Sequence, residues 1–304
     1  MTDAALHGAG WPVQVRDIAF ESPADGTLQP MVYYAPPAQD TPAPLLVGLH
    51  TWSGDYRQVD GANYARWAIE AGWAMVHPDF RGPNRRPEAA GSDLAVSDVW
   101  GAVEYACQHA NIDDRKIYLC GVSGGGHMAL LLAGRMPEVW AAVSAWVPIV
   151  DLAAWHGESL ARGNSYADDL VGACSGLPGA SASVDSEYSA RSPLTYLDRA
   201  TAPLDINAGI RDGHDGSVPI SHALRAFNAV ADPADRIGEV AIRDLVQQAV
   251  VPPHLTCAIS DSSYGHRPPL LRRQSRHAHL TLYDGDHEIV YPAALRWLGG
   301  HSKP

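Results

Sequence analysis

A glycine-rich turn near the middle of the chain has the residue types and spacing of a nucleophilic serine site. Gly121-Val122-Ser123-Gly124-Gly125 follows the apolar segment 116–120 and precedes the apolar segment 126–135, which has helical spacing. A G-x-S-x-G sequence between a strand and a helix holds the serine on a tight bend, and its small neighbours let the backbone close without clashes. The free N–H groups at the helix start stabilise a developing oxyanion. The pattern therefore predicts that Ser123 attacks a carbonyl carbon.

Ser123 needs a general base, because a serine hydroxyl is a poor nucleophile at neutral pH. Where a serine occupies such a turn, an acid and then a histidine follow it along the chain. His287 lies in the loop 283–288, between the last predicted strand and the last predicted helix, and is the candidate base. His277 and His279 have the spacing of two metal ligands on one strand face, but a third ligand is missing, so we interpret them as strand or surface residues.

Two carboxylates compete for the role of the acid that orients the histidine. Asp212 stands three residues after Gly209, close to the end of the predicted strand 204–208, whereas Asp215 stands three residues before Val218. The end of a strand fixes a side chain more rigidly than the far side of a loop does, which favours Asp212. Asp215 remains the alternative.

A second donor to the oxyanion is expected in the loop that follows the predicted strand 44–49. This loop begins His50-Thr51-Trp52. The backbone N–H of Trp52 is the expected partner of the N–H of Gly124. Because the donor is a backbone group, the Trp52 indole remains free to act as a core or lid aromatic.

Candidate substrate-binding residues are aromatic or basic. Stacking surfaces for a sugar or an aromatic group are offered by Trp52, Tyr56, Trp155 and Tyr264. Arg272 and Arg273 lie in the polar run 271–276 and predict guanidinium contacts with a substrate carboxylate. A solvated basic surface loop is the other interpretation of this run.

Short apolar segments that alternate with helical patterns predict an α/β fold. The segments 15–21 and 28–34 flank a turn-prone sequence and predict an antiparallel hairpin. Further strands are predicted at 44–49, 73–77, 116–120, 141–147, 204–208 and 279–283, and helices at 64–71, 93–109, 126–135, 221–230 and 291–298. This alternation favours a mostly parallel central sheet with helices on both faces.

Two long segments interrupt the alternation. Residues 151–200 are rich in Gly, Ser and Ala, and residues 232–277 contain a helical pattern at 244–251 followed by a Pro-, Ser- and Arg-rich stretch. Long segments of this kind in a compact domain are usually lids or binding loops. We expect residues 1–304 to form a single α/β domain, with both insertions lying over the active-site edge of the sheet.

Composition and charge exclude several classes of partner. The 304 residues carry 34 acidic and 22 basic side chains, a net charge of −12, which disfavours binding to nucleic acid. No apolar run approaches the ~20 residues that span a bilayer, and residues 1–14 lack a secretory signal pattern, so we expect a cytoplasmic protein without a membrane partner. The scattered cysteines indicate neither a disulfide framework nor a zinc site; they are Cys107, Cys120, Cys174 and Cys257.

Four segments resemble the catalytic domain of the prolyl oligopeptidase family, within the α/β-hydrolase superfamily. They are the serine turn, the acid loop with Val218-Pro219, the His287 loop and Ser192-Pro193-Leu194. The resemblance runs from about residue 15 to residue 298 and implies an α/β-hydrolase fold with lid-like insertions. The chain departs from the family in having no room for its N-terminal β-propeller. It also has His-Thr-Trp where many relatives have His-Gly-Gly, and a longer acid loop.

Together these features predict a serine hydrolase with Ser123, Asp212 and His287 as its catalytic triad. The resemblance to propeller-free family members implies a carboxylic-ester hydrolase that removes small acyl groups from sugars or aromatic alcohols. A serine peptidase or acylaminoacyl-peptidase acting on short peptides is the alternative, and a catalytically silent binding module is less favoured. Acyl transfer by a triad needs no metal and no organic cofactor. The sequence leaves open whether the chain forms a homo-oligomer.

Overall fold

A mostly parallel sheet lies at the centre of the molecule. The computed structural model describes residues 3–38, 40–253, 255–256 and 260–304. Nine strands occur in this part of the chain: β1 (Arg16–Glu21), β2 (Leu28–Tyr34), β3 (Ala43–Leu49), β4 (Ala74–Pro78), β5 (Ile112–Val122), β6 (Ala142–Trp146), β7 (Leu204–Gly209), β8 (Pro269–Ser275) and β9 (Ala278–Tyr283). Their order across the sheet is β1-β2-β4-β3-β5-β6-β7-β9-β8. The pairs β1–β2, β2–β4 and β8–β9 are antiparallel, and the other pairs are parallel.

Helices cover the sheet and follow most of its strands. The described helices are α1 (Asp3–Gly8), α2 (Ala62–Ala71), α3 (Asp93–His109), α4 (Gly124–Arg135), α5 (Leu152–Arg162), α6 (Tyr166–Cys174), α7 (Ala182–Ala190), α8 (Ser221–Val230), α9 (Glu239–Gln248) and α10 (Tyr291–Gly299). Every residue of β4, β6 and β7 is buried, so side chains on both faces of these strands are shielded from water. This is the pattern expected where helices cover both faces of a parallel sheet. None of the described helices combines the length and apolar character needed to cross a membrane.

The sequence pattern located most elements of this fold. The structure confirms the predicted α/β class, the mostly parallel sheet and the opening hairpin β1–β2. The helices α3 and α8 have the predicted bounds, because each carries an apolar stripe with clear ends. The strand β5 begins earlier than predicted, at Ile112. The prediction missed its first half because residues 113–116 are polar and only the second half of the strand is buried.

The segment 151–200 is more regular than a lid loop. It contains α5, α6 and α7, and side-chain caps begin two of these helices. Asp151 accepts a hydrogen bond from the N–H of Ala154 at 3.0 Å, and Ser181 accepts one from the N–H of Val184 at 3.3 Å. Such caps satisfy N–H groups that the first helical turn leaves open. Capping and the abundance of alanine explain why a segment that resembles a loop in composition is helical.

The basic run 271–276 is not a solvated loop, as one interpretation held, because most of it forms the edge strand β8. Residues Pro269–Ser275 pair in antiparallel fashion with β9. Buried and exposed residues do not alternate strictly along this strand, and two of its residues are successive arginines. The sequence therefore lacks the alternating pattern that predicts a strand. Charged side chains are common on edge strands, where they discourage pairing with a second sheet.

The cysteines take no part in disulfide bonds within the described residues. Cys107, Cys120 and Cys174 are free thiols, and Cys257 lies outside the described residues. Burial raises the pKa of the Cys174 thiol to about 12, which keeps that side chain protonated and unreactive at neutral pH.

A buried polar chain crosses the strands β6 and β7. The Asp205 carboxyl group on β7 accepts a hydrogen bond from Ser144 Oγ at 2.8 Å, and Ser144 Oγ accepts one from the Trp146 indole N–H at 2.9 Å. Burial raises the pKa of Asp205 to about 6, because a carboxylate loses hydration in the interior. The hydrogen bonds from Ser144 and Asn207 oppose this shift without cancelling it.

The raised pKa of Asp205 predicts a pH-dependent contribution to stability. The folded state holds this proton more tightly than the unfolded state, so the contribution is present below about pH 4 and is lost as the pH rises through about 6. We expect the free energy of unfolding of the wild type, minus that of Asp205→Asn, to fall by roughly 2–3 kcal/mol between pH 4 and pH 7. Urea denaturation at several pH values measures this difference. A difference that is constant with pH, like that expected for the exposed control Asp198→Asn, would contradict the assignment.

Candidate active site

Ser123 occupies a strained turn between β5 and α4. Its backbone has φ 59° and ψ −117°, a conformation that residues with a Cβ rarely adopt. The Ser123 N–H donates to the carbonyl of Trp146 at 2.8 Å, and the Ser123 carbonyl accepts from the N–H of His127 at 2.8 Å. These two bonds tie the turn to β6 on one side and to α4 on the other. Such strain, which costs about 1–3 kcal/mol, persists when the surroundings fix the backbone in this way.

Glycines allow the turn to pack against neighbouring backbone. A Cβ on Gly121 would overlap the backbone of Gly125, and a Cβ on Gly124 would overlap the N and Cα atoms of Trp52. The first glycine closes the bend, and the second brings the start of α4 against the loop that follows β3. Gly124 and the Trp52 backbone nitrogen are therefore immediate neighbours, as the predicted pair of oxyanion donors requires.

The loop that carries Trp52 is fixed by His50. The ring nitrogens Nδ1 and Nε2 of His50 lie 2.8 Å from the carbonyl oxygens of Thr51 and Asp79, respectively. The His50 ring also stacks on Phe80, with 3.8 Å between ring centroids. In addition, the N–H of Thr51 donates to Gln58 Oε1 at 2.9 Å. These contacts hold the Trp52 backbone in place before any ligand binds.

The loops after β7 and β9 bring Asp212 and His287 together. His287 Nδ1 donates to Asp212 Oδ2 at 2.8 Å, and Asp212 Oδ1 accepts from the N–H of Val218 at 3.2 Å. Asp212 is only 2% exposed, so its carboxylate acts in a poorly hydrated environment. The competing carboxylate, Asp215, is exposed to solvent. Of the two predicted acids, the structure pairs Asp212 with the histidine.

Arg211 joins the same two loops, and sequence reasoning missed it. Its guanidinium group donates to Asp286 at 2.7 Å and to Asp284 at 2.5 Å, and its backbone N–H donates to the carbonyl of Gly285 at 3.1 Å. Arg211 precedes the acid, and the two aspartates precede the histidine. The sequence indicated this contact only through the opposite charges of the acid loop and the histidine loop, which are far apart along the chain.

A cavity of about 320 Å³ opens between the serine turn and the histidine loop. Ser123 and His287 both line it, and so does Trp52. Its other lining residues are Thr51, Ser53, Asp60, Val122, Tyr166, Glu288, Ile289 and Tyr291. Asp60, Tyr166 and Tyr291 come from three separate elements, and no local motif marks them in the sequence.

Of the segments interpreted as insertions, 151–200 contacts the cavity. Tyr166 at the start of α6 lines it and stacks on Trp155 of α5, with 5.0 Å between ring centroids. The Trp155 indole N–H donates to the carbonyl of Ser217 in the acid loop at 3.0 Å, and Ser217 Oγ lies 3.5 Å from His287 Nε2. From the second segment, the carbonyl of Val246 lies 2.6 Å from His214 Nε2. His254, Cys257, Ala258 and Ile259 of that segment lie outside the described residues.

The structure does not bring Arg272 and Arg273 to the cavity, contrary to the expectation that they hold a substrate carboxylate beside Ser123. Both lie on β8, which is four strands away from β5 in the sheet order, or about 19 Å at the usual strand spacing. Arg272 donates instead to Asp261 at 3.0 Å and to Thr281 Oγ1 at 3.2 Å. The pairing of β8 with β9, which the sequence pattern did not predict, places both arginines at the far edge of the sheet.

Tyr56 is also absent from the described residues that line the cavity. Its side chain is buried beneath the guanidinium group of Arg57, which lies 4.7 Å from the ring centroid. Its backbone carbonyl lies 2.9 Å from His77 Nδ1. Tyr56 therefore packs within the hydrophobic core.

Fold and site define the class of the chain, which is that of the α/β-hydrolases. The sequence model of the BD-FAE family matches residues 31–228, more than half of the chain, and the chain therefore belongs to this family. This result agrees with the resemblance to the catalytic domain of the prolyl oligopeptidase family. A solved structure, the acylaminoacyl peptidase of Pyrococcus horikoshii, matches with a TM-score of 0.55 and 18% identity. The match covers 71% of this chain and 34% of that chain, and it shows the fold.

Two curated relatives share part of the sequence. Feruloyl esterase B of Thermothelomyces thermophilus is 28% identical over 122 residues, which cover 37% of this chain and 41% of the relative. The acylamino-acid-releasing enzyme of Mus musculus is 27% identical over 142 residues, which cover 44% of this chain and 18% of the relative. The chain therefore spans less than half the length of either relative in these matches.

Proposed function

We propose that the chain is a serine hydrolase that cleaves carboxylic esters of small acyl groups with sugar or aromatic alcohols. The observation that carries the proposal is the 2.8 Å hydrogen bond between His287 and Asp212, beside a cavity that His287 shares with Ser123. A histidine oriented by a buried carboxylate is the base that a serine nucleophile needs. The strained turn at Ser123 is the second support, because such turns present the serine at the sheet edge.

In the proposed reaction the acyl group passes through Ser123. Ser123 Oγ attacks the ester carbonyl carbon while His287 Nε2 takes the hydroxyl proton, and Asp212 stabilises the resulting imidazolium. The N–H groups of Gly124 and Trp52 donate to the oxyanion of the tetrahedral intermediate. His287 then protonates the departing alcohol oxygen. A water molecule, deprotonated by His287, hydrolyses the acyl-enzyme and restores Ser123.

An ester is the preferred substrate class because of its leaving group. An alkoxide departs more readily than an amine, so an ester requires less assistance from the site. Membership of the BD-FAE family and the match to feruloyl esterase B support this choice. The match to acylamino-acid-releasing enzymes favours a second candidate, a peptidase that acts on acylated amino acids.

Two substrates separate these candidates. We expect the wild type to have a higher kcat/KM for phenyl acetate, a small acyl ester of an aromatic alcohol, than for N-acetyl-alanine 4-nitroanilide, because the ester has the better leaving group. Release of phenol and of nitroaniline gives both rates. Ser123→Ala removes both activities under the proposal, whereas the exposed control Ser186→Ala keeps them.

The opposite preference would identify the peptidase. If the anilide is cleaved faster than the ester and the activity still depends on Ser123, the ester proposal is wrong and the second candidate replaces it. If neither substrate is cleaved by the wild type while acetylated sugars and 4-nitrophenyl esters are also stable, hydrolase activity itself is contradicted.

The choice of Asp212 as the acid makes a second prediction. Asp212→Asn should lower kcat for the hydrolysed ester by roughly 10³–10⁴-fold, because the amide no longer fixes the His287 tautomer or stabilises the imidazolium. Asp215→Asn is the matched control and should stay within about twofold of the wild type, because Asp215 is solvent-exposed. Kinetics and thermal unfolding of both variants provide the measurement. A large loss of kcat in Asp215→Asn, with Asp212→Asn unaffected, would mean that Asp215 is the catalytic acid and Asp212 is not.

A further inference from the structure

The charged residues that line the cavity beside Ser123 influence which ester substrates can bind there. Two carboxylates, Asp60 and Glu288, are among its lining residues. None of the described residues that line it is lysine or arginine, and His287 is the one lining residue that can become cationic. A substrate group placed in this cavity therefore meets negative charge.

The charge of Glu288 is largely compensated. Its carboxylate forms an ion pair with the Arg267 guanidinium group and accepts a hydrogen bond from the N–H of Asp286 at 3.3 Å. Arg267 is itself outside the set of described lining residues. Glu288 therefore lines the cavity as the acidic member of a neutralised ion pair.

The charge of Asp60 is not compensated by a cation, and its exposed side chain is hydrated by solvent at the mouth of the cavity. Asp60 lies in the turn Val59–Gly61 that precedes α2, and among the described residues no cation forms a salt bridge with it. The side-chain hydrogen bond to its carboxylate comes from the neutral Gln58 amide at 3.5 Å. The carbonyl of Asp60 accepts from the Tyr291 hydroxyl at 3.1 Å, which holds this turn against an aromatic wall of the cavity.

Aromatic rings complete an environment that suits a cation. Trp52, Tyr166 and Tyr291 line the same cavity. The faces of Trp and Tyr rings attract ammonium groups through their quadrupoles. The net charge of −12 adds a long-range field that favours cationic ligands over anionic ones.

We propose that the serine cavity selects esters that carry an ammonium group over neutral or carboxylate-bearing esters of the same size, with Asp60 as the specificity-determining residue. The inference rests on the proposed function, because it concerns the substrate class of the same site. It also reverses the expectation from sequence, in which two arginines held a substrate carboxylate.

Three acetate esters of similar size test the proposal. They are acetylcholine, its neutral isostere 3,3-dimethylbutyl acetate, and the anion 4-acetoxybutanoate. We expect kcat/KM of the wild type to be about five- to twentyfold higher for acetylcholine than for the neutral ester, and lowest for the anion. Added NaCl should reduce this ratio, because the preference is electrostatic.

Variants assign the preference to a residue. In Asp60→Asn the ratio of cationic to neutral kcat/KM should fall by about threefold or more, because the uncompensated charge is gone while the aromatic rings and most of the net charge remain. The matched control is Asp168→Asn, an exposed carboxylate on α6 two residues from Tyr166, and it should keep the wild-type ratio.

The outcomes separate the inference from the proposed function. If the neutral ester is hydrolysed in a Ser123-dependent manner but the wild-type ratio is one or less, the charge preference is overturned and the hydrolase stands. If the ratio survives in Asp60→Asn, the assignment to Asp60 is overturned. If the wild type hydrolyses none of the three esters but hydrolyses phenyl acetate in a Ser123-dependent manner, the charge preference is overturned and the hydrolase stands. If it hydrolyses none of these four esters, and acetylated sugars and 4-nitrophenyl esters are stable too, the proposed function fails, and the inference fails with it.

Discussion

The site depends on a contact between two pieces of backbone. The turn after β5 and the loop after β3 approach so closely that a side chain on Gly124 would overlap the Trp52 backbone. Side-chain packing cannot bring two amide groups to such a separation, so glycine is required here. The strained conformation of Ser123 follows from the same closure, because the turn must reverse direction within two residues while staying bonded to β6.

Sheet order then supplies the remaining groups. Parallel strands end at the same edge, and β7 and β9 are neighbours, so the loops that carry Asp212 and His287 are adjacent although 75 residues separate them in sequence. Arg211 binds the aspartates of the histidine loop, and the indole of Trp155 donates to the carbonyl of Ser217 in the acid loop. The inserted helices α5 and α6 therefore contact the acid loop next to His287 and also form part of the cavity wall.

The sequence predicted those features that have a local pattern. Ser123 lies in a motif with a defined strand and helix on either side, and His287 follows from the position of the last strand. The sequence favoured Asp212 over Asp215 because a strand end fixes a side chain more rigidly, and the structure pairs Asp212 with His287. The strand β8 and the cavity residues Asp60, Tyr166 and Tyr291 were missed, since edge pairing and convergence of distant elements leave no periodic signal.

The central claim is that Ser123 is the nucleophile that accepts the acyl group. Its most direct test is to react the intact protein with a fluorophosphonate, digest it and locate the adduct by mass spectrometry. We expect a single adduct, on the peptide that contains Ser123, which forms much more slowly when the protein is denatured first. An adduct on another serine, such as Ser217 beside the histidine, or no adduct at all on the native protein, would contradict the claim.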